Sequence, residues 1–229
     1  MVNIKTPYAY SELTRTSVNG QRLYKNPYGE PVPSVTTVLS ATKPARDRKI
    51  LADWKKRVGN EAAQQIVTEA SKVGTQMHAM LESYVKNEEY VGNEETGKTL
   101  LQSRMMADIV IKNIDAELNE VWGAEVSLCY PDLYAGTADL LGMWKGKPTV
   151  MDFKQTNKPK KREWIGDYFL QGTAYALAHN ELYGTDIKDV AIFMCSREGL
   201  WQLFEMRIGE FSEWELKWAK RLEEYYNIS

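Results

Sequence analysis

The hydrophobic period of the chain changes from helix-like to strand-like near Trp122, and this change constrains the fold more than any other feature. Before it, apolar residues recur three and four apart: Ile50, Leu51 and Trp54, then Ile66, Val73, Met77, Met80, Leu81 and Tyr84. Ser34 is the expected N-cap of a short helix over SVTTVLSAT, and Pro44 separates it from the basic amphipathic stretch ARDRKILADWKKR. GNEAAQQIVTEASK, VGTQMHAMLESYVKN and LLQSRMMADIVIKNIDAELNEVW continue the helical pattern, while RLYKNPYGEPVP predicts a small hairpin or extended arm. After the change, WGAEVSLCYP, LYAGTADLLGMW and PTVMDFKQ alternate with period two and predict three successive strands. A helix over REWIGDYFLQGTAYALAHNELYG, strands over DVAIFMCSR and LWQLFEMRI, and a last helix over FSEWELKWAKRLEEYY complete the order. With no internal repeat and no linker rich in Pro, Gly or Ser, the expectation is one α/β domain over 1–229, mostly helical over 1–120 and sheet-containing over 121–229.

Composition narrows the function classes. Apolar residues form 43% and charged residues 26% of the 229, a mixture that argues for a folded domain against disorder or a fibrous repeat. A net charge of −2 excludes a uniformly basic protein that coats nucleic acid, so a polyanion would have to be held by a local patch. Two cysteines, Cys129 and Cys195, cannot build a Cys₄ zinc site or an iron–sulfur cluster, and each sits in an apolar run that suits a buried free thiol. No apolar stretch is long enough to span a membrane, and MVNIKTPYAYSELTR has neither a signal-peptide nor a transit pattern. The expectation is a cytoplasmic protein of a bacterial or phage-infected cell, with no membrane partner.

An acid-x-Lys triplet occurs five times, at Asp47/Lys49, Asp53/Lys55, Asp152/Lys154, Asp186/Lys188 and Glu215/Lys217. Three lie on predicted helices, where positions i and i+2 diverge, and Asp186/Lys188 lies in a turn. Asp152/Lys154 lies within a strand, where i and i+2 share a face. Counting outward from a Lys145–Gly146 hairpin tip sets Asp139 directly opposite Asp152. Directly opposed residues have Cβ atoms about 4.5–5.5 Å apart, where two carboxylates repel unless a cation lies between them, which points to a hard divalent ion, Mg²⁺ or Mn²⁺; two water-exposed acids are the alternative. His78 and Glu82 stand at i, i+4 on a helix, where one could reach such an ion and the other support it, or His78 could be a hydrogen-bonded packing residue. The packing reading is favoured for His179. Gln171 and Tyr175 form a further i, i+4 pair that could orient a phosphate or base, or simply cover the sheet.

Lys158, Lys160, Lys161 and Arg162 follow this site closely with no intervening acid and could hold phosphates. Arg46, Arg48, Lys49, Lys55, Lys56 and Arg57 give the early helix a second basic patch, with Trp54 available for stacking or for the core. Gly92–Thr99, GNEETGKT, matches the phosphate-loop pattern of nucleotide hydrolases. Its surroundings argue against nucleotide binding. LESYVKNEEYV before it is polar and helix-like rather than a buried strand, and Glu94 and Glu95 would face the phosphates. No nucleotide cofactor is expected, and a loop between helices is the plainer reading.

Taken together, GxxxH at Gly74–His78, GTADLL with Asp139, VMDFK with Asp152 and Lys154, and QGTAY with Gln171 and Tyr175 resemble the ordered motifs of RecB-type PD-(D/E)XK nucleases. VPSVTTVLS, DFKQTNKPK and RLEEYY further resemble the mitochondrial genome maintenance exonucleases, from about Val32 to Tyr226. The resemblance implies a mixed sheet flanked by helices and metal-dependent hydrolysis of DNA, preferentially single-stranded and from an end. It implies His78, Asp139 and Asp152 as metal ligands with the Phe153 carbonyl as a further one, Lys154 acting on water or charge, and Gln171 and Tyr175 in support. One or two Mg²⁺ or Mn²⁺ ions are the implied cofactor. An endonuclease, a nuclease-fold protein that only binds DNA, and a nucleotide hydrolase using Gly92–Thr99 stay open as alternatives.

Overall fold

The computed structural model describes residues 1–18, 21–92 and 97–228. It opens with a small antiparallel sheet of β1 (Arg15–Val18), β2 (Gln21–Tyr24) and β3 (Val32–Pro33). The hairpin expected across the NPYG turn is the β2–β3 pair, with Tyr24 opposite Val32; β1 is a third strand that the sequence pattern did not predict. Helix α1 (Val35–Ala41) follows, and the Ser34 side chain accepts from the Thr37 amide as its N-cap. Then come α2 (Ala45–Val58), α3 (Asn60–Val85) and α4 (Lys98–Ile114).

The main sheet has five strands in the spatial order β4 (Leu118–Tyr130), β5 (Tyr134–Trp144), β6 (Lys147–Thr156), β7 (Asp189–Ser196) and β8 (Trp201–Glu205). All neighbours are antiparallel except β6 and β7, which run parallel and are joined through α5 (Gly166–Tyr183), because a parallel pair needs a long crossover. The last helix is α6 (Phe211–Ile228). Buried residues of α1, α5 and α6 pack on one face of the sheet, and those of α3 and α4 on the other. This is the mixed sheet flanked by helices expected of a PD-(D/E)XK core. Among the described residues, no helix is long and apolar enough to cross a membrane. Cys129 and Cys195 are buried free thiols.

One boundary differs from the sequence reading. The helical pattern expected to reach Trp122 ends at Ile114, and β4 begins at Leu118. The pairing of β4 with β5 slips between Leu118 and Glu120 and again between Val121 and Gly123. Each bulge adds a residue on one strand, so Leu118, Val121 and Trp122 are all buried at intervals that imitate a helix.

Buried polar groups tie the helices together. Arg221 on α6 donates to Thr42 Oγ1 and the Leu39 carbonyl at the end of α1, and to Asp167 on α5. His179, fully buried, shares hydrogen bonds with Tyr10 Oη at 3.0 Å and Thr185 Oγ1 at 2.8 Å, as the packing reading requires. Burial lowers its pKa to about 4. The unfolded imidazole takes a proton near the ordinary value of about 6.5, whereas the folded one resists until about 4. Its contribution is therefore complete above about 6.5 and is lost as pH falls toward 4, with a magnitude of order 2 kcal/mol. The urea midpoint is expected to fall between pH 7 and pH 4.5, and to fall less in His179→Asn; equal falls in the two proteins would refute the assignment.

Candidate active site

The Lys145–Gly146 tip has φ of 50° and 76°, the two left-handed residues of a tight hairpin turn, and the β5–β6 register follows from it. Trp144 faces Lys147, Leu141 faces Val150 and Leu140 faces Met151. The ladder ends there, so Asp139 and Asp152 stand at the next facing position, where β5 and β6 part. Beyond the last pair, the Phe153 amide donates to Asp139 Oδ2 at 2.9 Å. The Asp139 carboxylate thus brings the Phe153 backbone against the site.

Each acidic group has a different environment. Asp152 is buried, and Lys154 Nζ lies 2.6 Å from its carboxylate oxygens. The geometry makes a hydrogen bond to Oδ1 only, which leaves Oδ2 buried without one. Burial pushes the Asp152 pKa up, Lys154 pulls it down, and Asp139 pushes it up again; the net direction is upward. Burial opposes the charge of Lys154, but Asp152 and Asp139 outweigh it and hold the ammonium protonated. Lys154 Nζ also lies 5.1 Å from the centre of the Tyr168 ring, a cation–π contact.

Helix α3 brings His78 to the other side, with Nδ1 3.6 Å from Asp139 Oδ2. Gly74, one turn earlier, packs against Gln155 of β6, and Gln155 donates to the Ala70 carbonyl, so the helix is fixed on the strand that carries Asp152. Glu82 does not support His78: it pairs with Lys86 at 2.5 Å.

Glu125 was absent from the sequence reading. Ligand atoms of His78, Glu125 and Asp139 all lie within 4.8 Å of one another. Glu125 occupies the β4 position facing Asp139, between the pairs Ala124↔Leu140 and Val126↔Ala138. Its φ of 51° is in the left-handed region, a strained conformation for a residue other than glycine and one that re-aims the side chain within a strand. Burial, then Asp139 and Glu82, raise its pKa to about 7, with Lys86 opposing. Glu125 is exposed, yet its carboxyl stands beside Asp139. Counting from the Tyr130–Tyr134 end of the β4–β5 hairpin would have found it, as counting from Lys145–Gly146 found Asp139.

From α5 come Tyr168, Gln171 and Tyr175. Gln171 Nε2 donates to Tyr175 Oη at 3.3 Å, and burial together with the Asp139 and Asp152 charges keeps the Tyr175 phenol protonated. Its ring lies against Gly136, where a Cβ would stand 2.6 Å from the ring edge. Glycine in GTADLL is therefore what lets Tyr175 approach the site. Tyr168 is the second residue missed, although its spacing of three from Gln171 sets it on the same helix face.

The basic patch divides. Lys158 and Lys161 are exposed and Lys160 half-exposed. Arg162 is already engaged, and in this it departs from the sequence reading. Its guanidinium donates to the Glu205 carbonyl and to Glu210, the residue just before α6, which neutralises it, and it lies over the Phe169 ring. Helix α2 buries no side chain and presents its six basic residues to solvent. Residues 93–96, the middle of the GNEETGKT segment, lie outside the described residues. The elements on either side are α3 and α4, so a helix stands where a phosphate loop requires a strand.

No protein-family model matches the chain. It is 28% identical over 205 residues to mitochondrial genome maintenance exonuclease 1 of Mus musculus, covering 85% of this chain and 59% of that protein. For the Homo sapiens protein the values are 28%, 85% and 58%, and for Xenopus tropicalis 28% over 216 residues, 85% and 57%. The chain thus spans less than two thirds of the length of these curated relatives. A solved structure from Eubacterium rectale, described as a candidate exonuclease, shares 11% identity and a TM-score of 0.49 over 69% of this chain and 68% of that one. Over most of its length the chain is thus similar in sequence to three vertebrate mitochondrial genome maintenance exonucleases.

Proposed function

We propose that the chain is a metal-dependent deoxyribonuclease that removes nucleotides from an end of single-stranded DNA. The observation that carries this reading is the meeting of His78, Glu125 and Asp139 with the Asp152–Lys154 pair where β5 and β6 part. The exonuclease name of the relatives supports the reaction class. The single strand and the free end rest on the resemblance of the motifs.

The donor set fits a divalent cation. Carboxylate oxygens with one imidazole suit Mn²⁺, and Mg²⁺ through its preference for oxygen and water. Burial first, and then the Asp139 charge, raise the pKa of Glu125 and of Asp152, the physical sign of a cluster short of positive charge. His78, Glu125 and Asp139 would hold such an ion, with Asp152 beside them. When bound, the ion supplies acidification of water and neutralisation of charge on the scissile phosphate. Lys154 keeps a fixed positive charge at the site and stabilises negative charge developing on phosphate oxygens. Asp152 and the Tyr168 ring hold its ammonium in place. Tyr175 and Gln171 offer donors to the substrate, and Lys158, Lys160 and Lys161 hold its phosphates further out.

The test uses linear single-stranded and double-stranded DNA labelled at either end, and a circular single strand, each with Mg²⁺, Mn²⁺ or EDTA. Metal-dependent loss of linear single strands with circles spared is expected. Cutting of circles would make the protein an endonuclease, and absence of cutting with either metal would overturn the nuclease reading. Glu125→Gln is expected to raise the metal concentration for half-maximal cleavage about tenfold to a hundredfold. An unchanged metal titration would remove Glu125 from the ligand set.

A further inference from the structure

A groove of about 730 Å³ lies away from the acidic cluster, between the β1–β2 hairpin and α1. It is lined by Arg15, Ser17 and Arg22 from the hairpin and by Thr36, Thr37 and Ser40 from α1. No carboxylate lines it, and neither arginine makes an ion pair among the described residues. Arg162, Arg197 and Arg221, by contrast, are each matched with an acid. We infer that this groove holds phosphodiester groups of the single strand whose end reaches the acidic cluster, an inference that rests on the nuclease reading above.

Strand geometry aims the two guanidiniums together. Arg15 faces Tyr24 and Ser17 faces Arg22 across the β1–β2 pair, so period two puts all four side chains on one face of the hairpin. The hairpin is fastened to α1: the Arg22 carbonyl accepts from the Ser34 amide at 3.0 Å and from Thr37 Oγ1 at 3.0 Å. It is also fastened to the catalytic sheet. Tyr24, on the arginine face, shares a hydrogen bond of 3.3 Å with Thr137 Oγ1, and Thr137 stands two residues before Asp139 on β5. Buried Tyr24 therefore ties the arginine-bearing hairpin to the strand that carries Asp139.

The chemistry of the lining selects the ligand. Guanidinium forks and hydroxyl groups bind phosphate oxygens, and the absence of acids leaves nothing to repel an anion. No aromatic side chain lines the groove, so bases would not stack in it; it grips backbone. Contacts of this kind are sequence-independent, as an exonuclease that advances along a strand requires.

The test measures binding of a fluorescein-labelled 20-nucleotide oligothymidylate in EDTA by anisotropy over a range of salt. The full chain is compared with Arg15→Gln/Arg22→Gln and with Lys112→Gln/Lys220→Gln, which removes the same charge from α4 and α6. The arginine variant is expected to bind several-fold more weakly, with the slope of log affinity against log salt reduced by about 1.4, or about 0.7 for each phosphate no longer neutralised. The lysine variant should match the parent. Equal affinity and slope in the parent and the arginine variant would overturn the groove assignment, as would equal weakening in the two variants or a parent that binds no oligonucleotide. Cleavage of the same oligonucleotide by the parent with Mn²⁺ reports separately on the nuclease reading. Arginine-dependent binding without cleavage would keep the groove and discard the nuclease.

Discussion

Asp152→Asn is expected to reduce cleavage of linear single-stranded DNA by about a thousandfold or more, while binding of the same strand in EDTA stays within a few-fold of the parent. The substitution keeps the shape of the side chain and removes its charge, so the strand packing around β6 has no reason to change. Two functions go with the charge. The cluster loses one of the carboxylates that would face a divalent ion, and Lys154 loses the partner 2.6 Å away that fixes its ammonium. Catalytic groups that act as a unit are not additive, so Lys154→Met and the double variant should each resemble Asp152→Asn. Losing an electrostatic stabiliser of transition-state charge typically costs a factor of about 10²–10³ by itself. The check is single-turnover cleavage of an end-labelled strand with Mn²⁺, beside thermal melting of each variant. Normal turnover by a folded Asp152→Asn protein would move the chemistry elsewhere in the molecule.

Gly142→Ala carries the largest expected loss of stability. Gly142 faces Val121 across the β4–β5 pair, beside the slip that precedes Gly123. A Cβ at this position would lie 2.0 Å from the Glu120 carbonyl oxygen, far inside van der Waals distance, and the obstructing atom is backbone rather than a movable side chain. Relief would require the bulged strand to shift, at a cost of about 3 kcal/mol or more. Because the bulges also set which β4 residue faces Asp139, a protein that survives the change should also need more metal for half-maximal cleavage, as Glu125→Gln does. Urea unfolding monitored by tryptophan fluorescence gives the stability, and a midpoint within error of the parent would refute the clash. Gly136→Ala tests the neighbouring close approach, where the obstructing atoms belong to the Tyr175 side chain and a smaller stability loss is expected.

Individual residues differ in how far they were legible before the fold was known. Asp139 and Asp152 were found by counting from a tight turn, since a two-residue hairpin tip propagates its register along both strands until the pairing ends. Gln171 with Tyr175 stood out because helical spacing assigns residues to a face without reference to anything else, and His78 because it is one of only two histidines. Glu125 did not, because it lies on a bulged strand whose burial intervals imitate a helix and whose left-handed backbone re-aims the side chain. Arg162 read as a free cation, because nothing in a run of lysines reveals an acid 48 residues later that neutralises it.

Local pattern alone thus determined the order of helices and strands after Trp122, the α/β class, the facing aspartates and the lysine that shares a strand face with one of them. These depend on period, turn geometry and charge, which act between near neighbours in the chain. Only the tertiary structure decided that α3 delivers His78 to Asp139, that Glu125 joins them, and that the β1–β2 hairpin is fastened through Tyr24 to the strand carrying Asp139. Those meetings depend on where the sheet bulges, where β5 and β6 part and which helix packs on which face. They are settled by long-range packing, which no stretch of sequence contains by itself.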